Sequence, residues 1–193
     1  VAKDELLSYE EMVKLIRVLV ELGIEKVRIT GGEPFVRKDM MQFLRSISQL
    51  EGLKQINITT NGTITASYIK ELKDLGIHSV NLSLDTLDKQ RFFEITRRDE
   101  FDKVMHTFQT LLDQGINNKI KAVIMEGRNT QDIIPMAELT AKYPISVRYI
   151  EEMPFNGSGS NYPVLNWNHK KILDHLKSHF PDIQKIPDPP HST

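Results

Sequence analysis

The fold is decided by the run Lys26-Val27-Arg28-Ile29-Thr30-Gly31-Gly32-Glu33-Pro34. Val27 and Ile29 fall on one face of a predicted strand, and Arg28 falls on the other. The two glycines that follow free the backbone to turn sharply or to approach a ligand closely. Pro34 biases the residue before it away from helix. The carboxyl end of this strand is therefore a predicted ligand pocket.

The same unit of strand and helix repeats along the chain. The predicted strands are 25–30, 55–61, 79–85, 119–125 and 147–153. The predicted helices are 8–23, 39–50, 65–75, 88–97, 101–114, 130–142 and 166–180. Regular alternation indicates right-handed βαβ units and a parallel sheet. One domain over residues 1–180 is expected, followed by a Pro-rich, unstructured tail at 181–193.

Two architectures fit this alternation: an open doubly wound sheet and all or part of a (β/α) barrel. The strands of an open parallel sheet read as continuous apolar runs, because helices cover both faces. Here apolar and polar residues alternate along the strands, least cleanly in the fifth. The pattern favours a partial TIM-like barrel of five parallel strands with outer helices and a polar interior. Such barrels carry their sites at the carboxyl ends of the strands.

Bulk composition excludes several classes of protein. The chain has 193 residues, and 25 Lys and Arg against 26 Asp and Glu leave a net charge of −1. That balance predicts no nucleic-acid partner. No apolar run reaches the roughly 20 residues that span a bilayer, and no signal peptide is recognisable, so we expect a soluble, cytoplasmic protein without a membrane partner.

No metal site is predicted within these residues. Cysteine is absent, which excludes disulfides, thiol catalysis and thiolate ligands. His175 and His179 stand one helical turn apart, but no third ligand is evident nearby.

Four cations are predicted to share the polar interior: Arg28, Lys119, Lys121 and Arg148. Together with strand hydroxyls and amides, such a set suits a polyanion such as a nucleoside triphosphate. The alternative is a structural network in which Asp85, Glu151 and Glu152 neutralise the cations. Four cations on one predicted side favour the ligand interpretation.

Four motifs in fixed order carry a family resemblance. They are Arg-Ile-Thr-Gly-Gly-Glu-Pro (28–34), Thr-Thr-Asn-Gly (59–62), Ser-Leu-Asp (83–85) and Arg-Tyr-Ile-Glu-Glu-Met-Pro (148–154). This set resembles the radical S-adenosylmethionine (SAM) superfamily and, within it, the GTP 3′,8-cyclases of molybdenum cofactor biosynthesis. The resemblance implies a lyase that binds SAM and 4Fe-4S clusters. It would convert GTP to (8S)-3′,8-cyclo-7,8-dihydroguanosine 5′-triphosphate through a 5′-deoxyadenosyl radical.

The resemblance also implies site residues and partners. The SAM group comprises Gly31, Gly32, Glu33, Ser83 and the backbone of Met153. The GTP group comprises Arg28, Thr59, Lys119 and Arg148, with Lys121 left open as an alternative to Lys119. The implied partners of the whole enzyme are a second copy of itself, a reductase that donates electrons and a downstream cyclic pyranopterin monophosphate synthase.

One departure from the family is large. The family holds its clusters with a CxxxCxxC loop after the first barrel strand and three further cysteines, and this chain has none. The expectation is an internal piece of a longer protein that lacks the first, cluster-bearing strand and leaves the Arg28 strand at an edge. Such a piece would be inactive and would hold GTP and SAM weakly. Another radical SAM enzyme, or an inert nucleotide- or partner-binding relative, remains an alternative.

Overall fold

A computed structural model of the chain describes residues 6–153 and 166–187. Its five strands are β1 (Lys26–Ile29), β2 (Gln55–Thr60), β3 (Ser79–Ser83), β4 (Asn118–Ile124) and β5 (Ile145–Glu151). Its helices are α1 (Tyr9–Glu21), α2 (Met40–Ser48), α3 (Ile69–Asp74), α4 (Lys89–Thr96), α5 (Phe101–Asp113), α6 (Ile133–Lys142) and α7 (His169–His179). All twelve of these strands and helices match predicted segments, with shifted ends.

The sheet is parallel throughout, and its strands follow one another in the order β1-β2-β3-β4-β5. Every right-handed crossover therefore steps in the same direction, which places the connecting helices on one face of the sheet. A doubly wound sheet reverses direction and covers both faces. The consecutive order confirms the partial barrel and excludes the open alternative.

The helix-facing side of the sheet forms the core. Its strand residues are Ile56, Ile58, Val80, Leu82, Ile120, Ala122 and Ile124, each at most 5% exposed. Residues from α2, α3, α5 and α6 pack on them in two adjoining hydrophobic clusters. Burial alternates residue by residue along β4, as the sequence pattern predicts.

On the opposite, polar face, the middle strands β2 and β3 are buried near their amino ends, whereas Arg28 and Ser146 on the edge strands are exposed. Near its base Asn57, Ser79 and Asn81 are buried, and the Ser79 hydroxyl donates to Asn57 Oδ1 at 2.5 Å. The prediction that the whole polar face lines a wet or liganded space is wrong at this base. Small polar side chains on neighbouring strands satisfy one another there and close the interior.

Local signals account for most helix ends. At α1 the predicted capping box is present, with Glu11 N–H donating to Ser8 Oγ and Ser8 N–H donating to Glu11 Oε2. The prediction that Asp39 caps α2 is wrong. Asp39 adopts a left-handed conformation with φ +63°, and its side chain makes no capping bond.

The predicted helices at 65–75 and 130–142 each begin with a 3₁₀ turn, at Thr65–Tyr68 and Thr130–Asp132. Residues 181–187 form neither helix nor strand, while 188–193 lie outside the described residues. The domain bounds 1–180 and 181–193 stay predictions. In the described ranges, no helix combines the length and apolarity that crossing a bilayer requires.

The strands β1 and β5 lie at the two edges of the described sheet, and β1 pairs with β2 alone. This confirms the prediction that the Arg28 strand is an edge strand.

Candidate functional site

The turn after β1 presents bare backbone to solvent. Gly31 has φ +148°, a conformation that strongly favours glycine. A Cβ added at Gly31 or Gly32 would meet no atom within 4 Å, so the space beside both residues is open. Both glycines are exposed at the carboxyl end of the strand. Backbone N–H and C=O groups are therefore available here to a ligand.

The side chain of Glu33 anchors this turn. Its carboxylate accepts hydrogen bonds from the Thr60 hydroxyl at 2.8 and 2.9 Å and from Asn61 N–H at 2.7 Å. It also accepts from Phe35 N–H at 3.3 Å and so caps the short 3₁₀ turn that follows. The family resemblance assigned Glu33 to the SAM group. The structure shows that both carboxylate oxygens already have partners within the protein.

Thr60 and Thr65 extend this anchor and carry no role in the sequence prediction. They are 1% and 0% exposed, and their hydroxyls lie 2.6 Å apart. The Thr60 hydroxyl also accepts from Gly62 N–H at 3.0 Å. The Thr-Thr-Asn-Gly motif drew attention to Thr60, but its bond to Glu33 spans 27 residues and leaves no local signal.

The turn after β2 is built on Asn61 and Gly62, as the Asn-Gly pair predicts. Asn61 Oδ1 accepts from both the N–H and the hydroxyl of Thr63 at 2.9 Å. Gly62 has φ +78° and is packed against Leu82 and Val104. The side chain of Thr59, just before this turn, is half-buried on the polar face and lies in register with Asn81.

The predicted cations share one face. In the register of the sheet, Ser83, Lys121 and Arg148 form one row across β3, β4 and β5. Lys119 lies in the preceding row, between Asn81 and Ser146. The strand pairing therefore places Lys119 and Lys121 on the same face, with Lys121 nearer the carboxyl ends.

The positive charges of Arg28 and Arg148 both act on Lys121. Its pKa is lowered first by burial and then by the positive charges of Arg28 and Arg148. Arg28 is on β1 and Lys121 on β4. In a flat sheet they would be separated by three strand spacings of about 4.8 Å, about 14 Å, and the register also offsets them by four residues along the strands. A curved sheet with side chains converging over its concave face explains this reach.

Two of the three carboxylates that could neutralise these cations, Asp85 and Glu151, have other partners, and Glu152 forms no salt bridge with any of the four cations in the described residues. Asp85 Oδ1 accepts from Val123 N–H at 2.8 Å, and burial raises the pKa of Asp85. Glu151 accepts from the N–H and Nδ1 of His169 at 2.7 Å, and these bonds lower the pKa of Glu151. Within residues 6–153 and 166–187, no salt bridge joins a carboxylate to Arg28, Lys119, Lys121 or Arg148. The structural-network alternative lacks support.

A buried polar cluster fixes the ends of β3 and β4, and sequence reasoning missed it. Asn129 Nδ2 donates to the carbonyl oxygens of Asp85 and Val123 at 2.7 and 2.8 Å. Asp132, 1% exposed, accepts from Arg91 Nε and Nη2 at 2.9 and 3.0 Å. The bonds from Asn129 to Asp85 and from Arg91 to Asp132 join residues 44 and 41 positions apart, so no local pattern reveals them.

The remaining predicted SAM residues also lie at this end of the sheet. Ser83 is the exposed last residue of β3 and lines a cavity of about 280 Å³ with Asn61 and Asp85. Met153 is 66% exposed and lies two residues beyond β5. Pro154, which closes the fourth motif, falls outside the described residues.

The polar groups at this end of the sheet are better suited to bind SAM than to bind an iron–sulfur cluster. A zwitterionic amino acid with a sulfonium can be held by the open glycine backbone of 31–32 and the Ser83 hydroxyl. A 4Fe-4S cluster needs thiolates, and the chain has no cysteine. The described residues also contain no group of three or more His, Asp or Glu arranged to hold a metal ion. The residues of this chain do not fit a cluster.

Comparisons with known sequences agree on one protein family. The sequence model of the radical SAM superfamily matches residues 2–140. The chain is 41% identical to "GTP 3′,8-cyclase, mitochondrial" of Arabidopsis thaliana, over 99% of this chain and 49% of that protein. It is 38% identical to "Molybdenum cofactor biosynthesis protein 1" of Homo sapiens, over 99% of this chain and 30% of that protein. The chain thus spans about half, or less, of these relatives.

Solved structures show the same fold at low sequence identity. Streptococcus suis SuiB bound to S-adenosylmethionine matches with a TM-score of 0.74 and 20% identity, over 91% of this chain and 41% of that chain. The anSMEcpe enzyme with bound AdoMet matches with a TM-score of 0.70 and 16% identity, over 94% of this chain and 52% of that chain. These matches support a partial barrel.

Proposed function

Because this chain belongs to the radical SAM superfamily, we propose that it forms the SAM- and GTP-binding part of a GTP 3′,8-cyclase of molybdenum cofactor biosynthesis. The observation that carries the proposal is the set of cations on the concave face, none of which forms a salt bridge with a carboxylate of the described residues: Arg28, Lys119, Lys121 and Arg148. Gathering like charges without counter-ions is unfavourable unless a polyanion binds there.

Arg28, Thr59, Lys119 and Arg148 are proposed to bind the nucleotide. The guanidinium groups of Arg28 and Arg148 donate in a planar fork that matches phosphate oxygens. Thr59 adds a neutral hydroxyl in the row that also contains Asn81 and Lys119. The packed base of Asn57, Ser79 and Asn81 keeps water from entering beneath the nucleotide.

Gly31, Gly32, Ser83 and Met153 are proposed to hold SAM, with Glu33 fixing the glycine turn. When bound, SAM supplies the 5′-deoxyadenosyl radical that the family uses on its substrate. The protein's part is to hold the backbone of the turn still. The hydrogen bonds that Thr60 and Asn61 donate to Glu33 support this role, because they tie the glycine turn to the end of β2.

The cysteine ligands of any 4Fe-4S cluster must come from outside these 193 residues. The proposal accordingly assigns this chain binding and positioning and assigns it no redox step. The dimer, the electron-donating reductase and the cyclic pyranopterin monophosphate synthase belong to the same proposal as partners of the whole enzyme. The cytoplasmic location stays a prediction; the name of the Arabidopsis relative assigns that protein to mitochondria.

The test uses the complete reading frame that encodes this chain. The protein is reconstituted with iron and sulfide under anaerobic conditions and incubated with GTP, SAM and a reductant. Mass spectrometry is expected to detect the cyclised nucleotide together with 5′-deoxyadenosine. Arg28→Ala and Arg148→Ala should each abolish the cyclised product. Arg45→Ala is the matched control, because Arg45 pairs with Glu71 on the outer helices.

The other outcomes identify the alternatives. Formation of 5′-deoxyadenosine without any conversion of GTP would reject the cyclase and indicate another radical SAM reaction. Binding of GTP without either product would indicate a relative that only binds a nucleotide.

A further inference from the structure

The neighbouring strands β3 and β4 end at different points along the sheet. β3 ends at Ser83, which lies in register with Lys121. One more backbone hydrogen bond follows this pair, from Leu84 N–H to the Lys121 carbonyl oxygen at 3.0 Å. β4 continues to Ile124 and is still paired with β5 there. Beyond Lys121, therefore, β3 no longer covers the side of β4 that faced it.

Two side chains take the place of β3 along this stretch. Asp85 Oδ1 accepts from Val123 N–H at 2.8 Å. Asn129 Nδ2 donates to the Val123 carbonyl oxygen at 2.8 Å, and Asn129 Oδ1 accepts from Met125 N–H at 2.7 Å. Side chains thus satisfy three backbone groups at the end of β4. Partly buried backbone groups need such partners, because an unpaired one is costly.

Asn129 is the residue that joins the two strand ends. Its Nδ2 also donates to the Asp85 carbonyl oxygen at 2.7 Å, so one amide nitrogen bridges carbonyl groups that follow β3 and lie on β4. The side chain is 0% exposed. Its own backbone is fixed as well, since Asn129 N–H donates to the Met125 carbonyl oxygen and Asp132 N–H donates to that of Asn129. The amide is therefore held in one place and orientation.

We propose that Asn129 is a positioning residue that fixes the Ser83 end of β3 relative to β4. The inference rests on the proposed function, which assigns Ser83 to SAM and Lys119, on β4, to the nucleotide. Ser83 lies two residues before Asp85, whose carbonyl oxygen accepts from Asn129. Because Asn129 is fully buried, it acts on SAM through this segment and not by contact.

A positioning role and a purely structural role predict different results for the folded protein. If Asn129 only stabilised the fold, a variant kept well below its unfolding temperature would bind SAM as the wild type does. If Asn129 positions the end of β3, the folded variant itself binds SAM less well and holds it in a less productive place. A displacement of about 1 Å can cost about 10²-fold in rate.

The experiment uses the complete protein, reconstituted anaerobically as in the test of the proposed function. Asn129→Ala removes every bond of the side chain. Asn129→Asp keeps its size and the acceptor for Met125 N–H, but turns an oxygen toward the carbonyl oxygens of Asp85 and Val123. For each variant, calorimetry without GTP should show about tenfold weaker SAM binding. The ratio of 5′-deoxyadenosine to cyclised nucleotide should rise about tenfold, because misplaced SAM is cleaved without reaction at GTP.

Leu111→Ala is the matched control for lost stability. Leu111 is 0% exposed in α5 and belongs to the hydrophobic core, so its truncation destabilises the fold. It makes none of the hydrogen bonds that join the ends of β3 and β4. At a temperature where circular dichroism shows every variant to be folded, Leu111→Ala should keep the wild-type SAM affinity and product ratio.

The inference is overturned if Asn129→Ala and Asn129→Asp bind SAM as tightly as the wild type, or if Leu111→Ala weakens SAM binding as much as they do. Should neither Asn129 variant fold, hydrogen exchange of the wild type decides. SAM must then slow the exchange of Met125 N–H, because a ligand held by the end of β3 opposes local opening of the bonds that fix it. Unchanged exchange would reject the role of Asn129.

SAM affinity separates this inference from the proposed function, because it is measured without GTP. If both Asn129 variants lose SAM affinity while the wild type forms 5′-deoxyadenosine without converting GTP, the positioning role stands and the cyclase is rejected. If the wild type cyclises GTP and the variants do so with unchanged SAM affinity and product ratio, the positioning role is rejected and the cyclase stands.

Discussion

The carboxylate of Glu33 accepts the hydroxyl hydrogen bond of Thr60, at 2.8 and 2.9 Å from its two oxygens. This contact joins the turn after β1 to the end of β2, and Asn61 N–H adds a second bond to the same carboxylate. The two turns that the proposed function assigns to SAM and to the nucleotide are therefore held at a fixed separation. Glu33 acts as a positioning residue between them.

Glu33→Gln should destabilise the protein by about 1.5–3 kcal/mol, because hydrogen bonds to a charged acceptor are stronger than neutral ones. Thr60→Val removes the other partner. In a double-mutant cycle measured by urea unfolding, the interaction free energy between the two substitutions should be at least about 0.5 kcal/mol. Glu94→Gln, on the exposed side of α4, is the control and should change stability by less than about 0.5 kcal/mol. If the effects of Glu33→Gln and Thr60→Val on the free energy of unfolding are additive, the contact between Glu33 and Thr60 does not contribute to stability.

Gly62→Ala should be more damaging than Gly76→Ala, although both glycines have positive φ, +78° and +71°. A Cβ at Gly62 would lie 2.5 Å from Leu82 Cδ1, whereas one at Gly76 would meet no atom within 4 Å. Gly76→Ala should cost about 1–2 kcal/mol from backbone strain alone. Overpacking should add about 1–3 kcal/mol at Gly62. Equal losses in denaturant unfolding would contradict the close packing of this turn.

The elements that the sequence predicts well are those with a local cause. Alternation along β4 gives the face of Lys119 and Lys121 directly, because side chains of a strand point to opposite sides with a period of two. Ser8 and Glu11 lie three residues apart and form their capping box as the spacing requires. The partial barrel follows from the same alternation combined with the consecutive strand order.

The features that escaped prediction depend on contacts distant in sequence. The bond from Thr60 to Glu33 and the pair of Arg91 and Asp132 join residues 27 and 41 positions apart. The hydrogen bond from Ser79 to Asn57 forms only once β2 and β3 are paired. Sequence patterns indicate the face on which a residue lies, but they do not specify which polar groups on that face will satisfy one another.

Asp132→Ala should destabilise the protein by about 3 kcal/mol, the lower part of the range for breaking a buried ion pair. Asp132 is buried, but the Arg91 side chain is 29% exposed and can recover some hydration. The change also leaves Leu87 N–H without its acceptor. Asp102→Ala removes the exposed partner of Lys89 and should have a much smaller effect in the same unfolding measurement. If Asp132→Ala and Asp102→Ala lower the free energy of unfolding by similar amounts, the burial of Asp132 does not make its ion pair more important for stability.

Asn118→Leu should stabilise the protein. Asn118 is 0% exposed on the apolar side of β4, and among the described residues neither its amide nitrogen nor its amide oxygen has a hydrogen-bond partner. Replacing an unsatisfied buried amide by an apolar side chain of similar size should raise the free energy of unfolding by about 1–3 kcal/mol. Asn57→Leu is the matched control and should destabilise, because Asn57 accepts a bond from Ser79. A loss of stability in Asn118→Leu would mean that the amide is satisfied in solution.

Asp85→Asn should make the stability of the protein less dependent on pH. Burial raises the pKa of Asp85 above its ordinary value of 3.8, so the native state keeps this proton to a higher pH than the unfolded state does. The contribution of Asp85 to stability therefore falls as pH rises from about 4 through its native pKa, and it stays low above that value. The asparagine oxygen can still accept from Val123 N–H, as Asp85 Oδ1 does at 2.8 Å, while the buried charge is removed.

Asp85→Asn is accordingly expected to be more stable than the wild type in urea at pH 7, with an advantage that shrinks toward pH 4. Asp113→Asn, which lies on the exposed side of α5 beside Gln109, should show no comparable pH dependence. The opposite sign, with the variant weaker at pH 7 and equal to the wild type at pH 4, would show that the ionised carboxylate stabilises the fold. In that case Asp85 would be a counter-charge for the cations of the concave face, which would argue against the proposed polyanion site there.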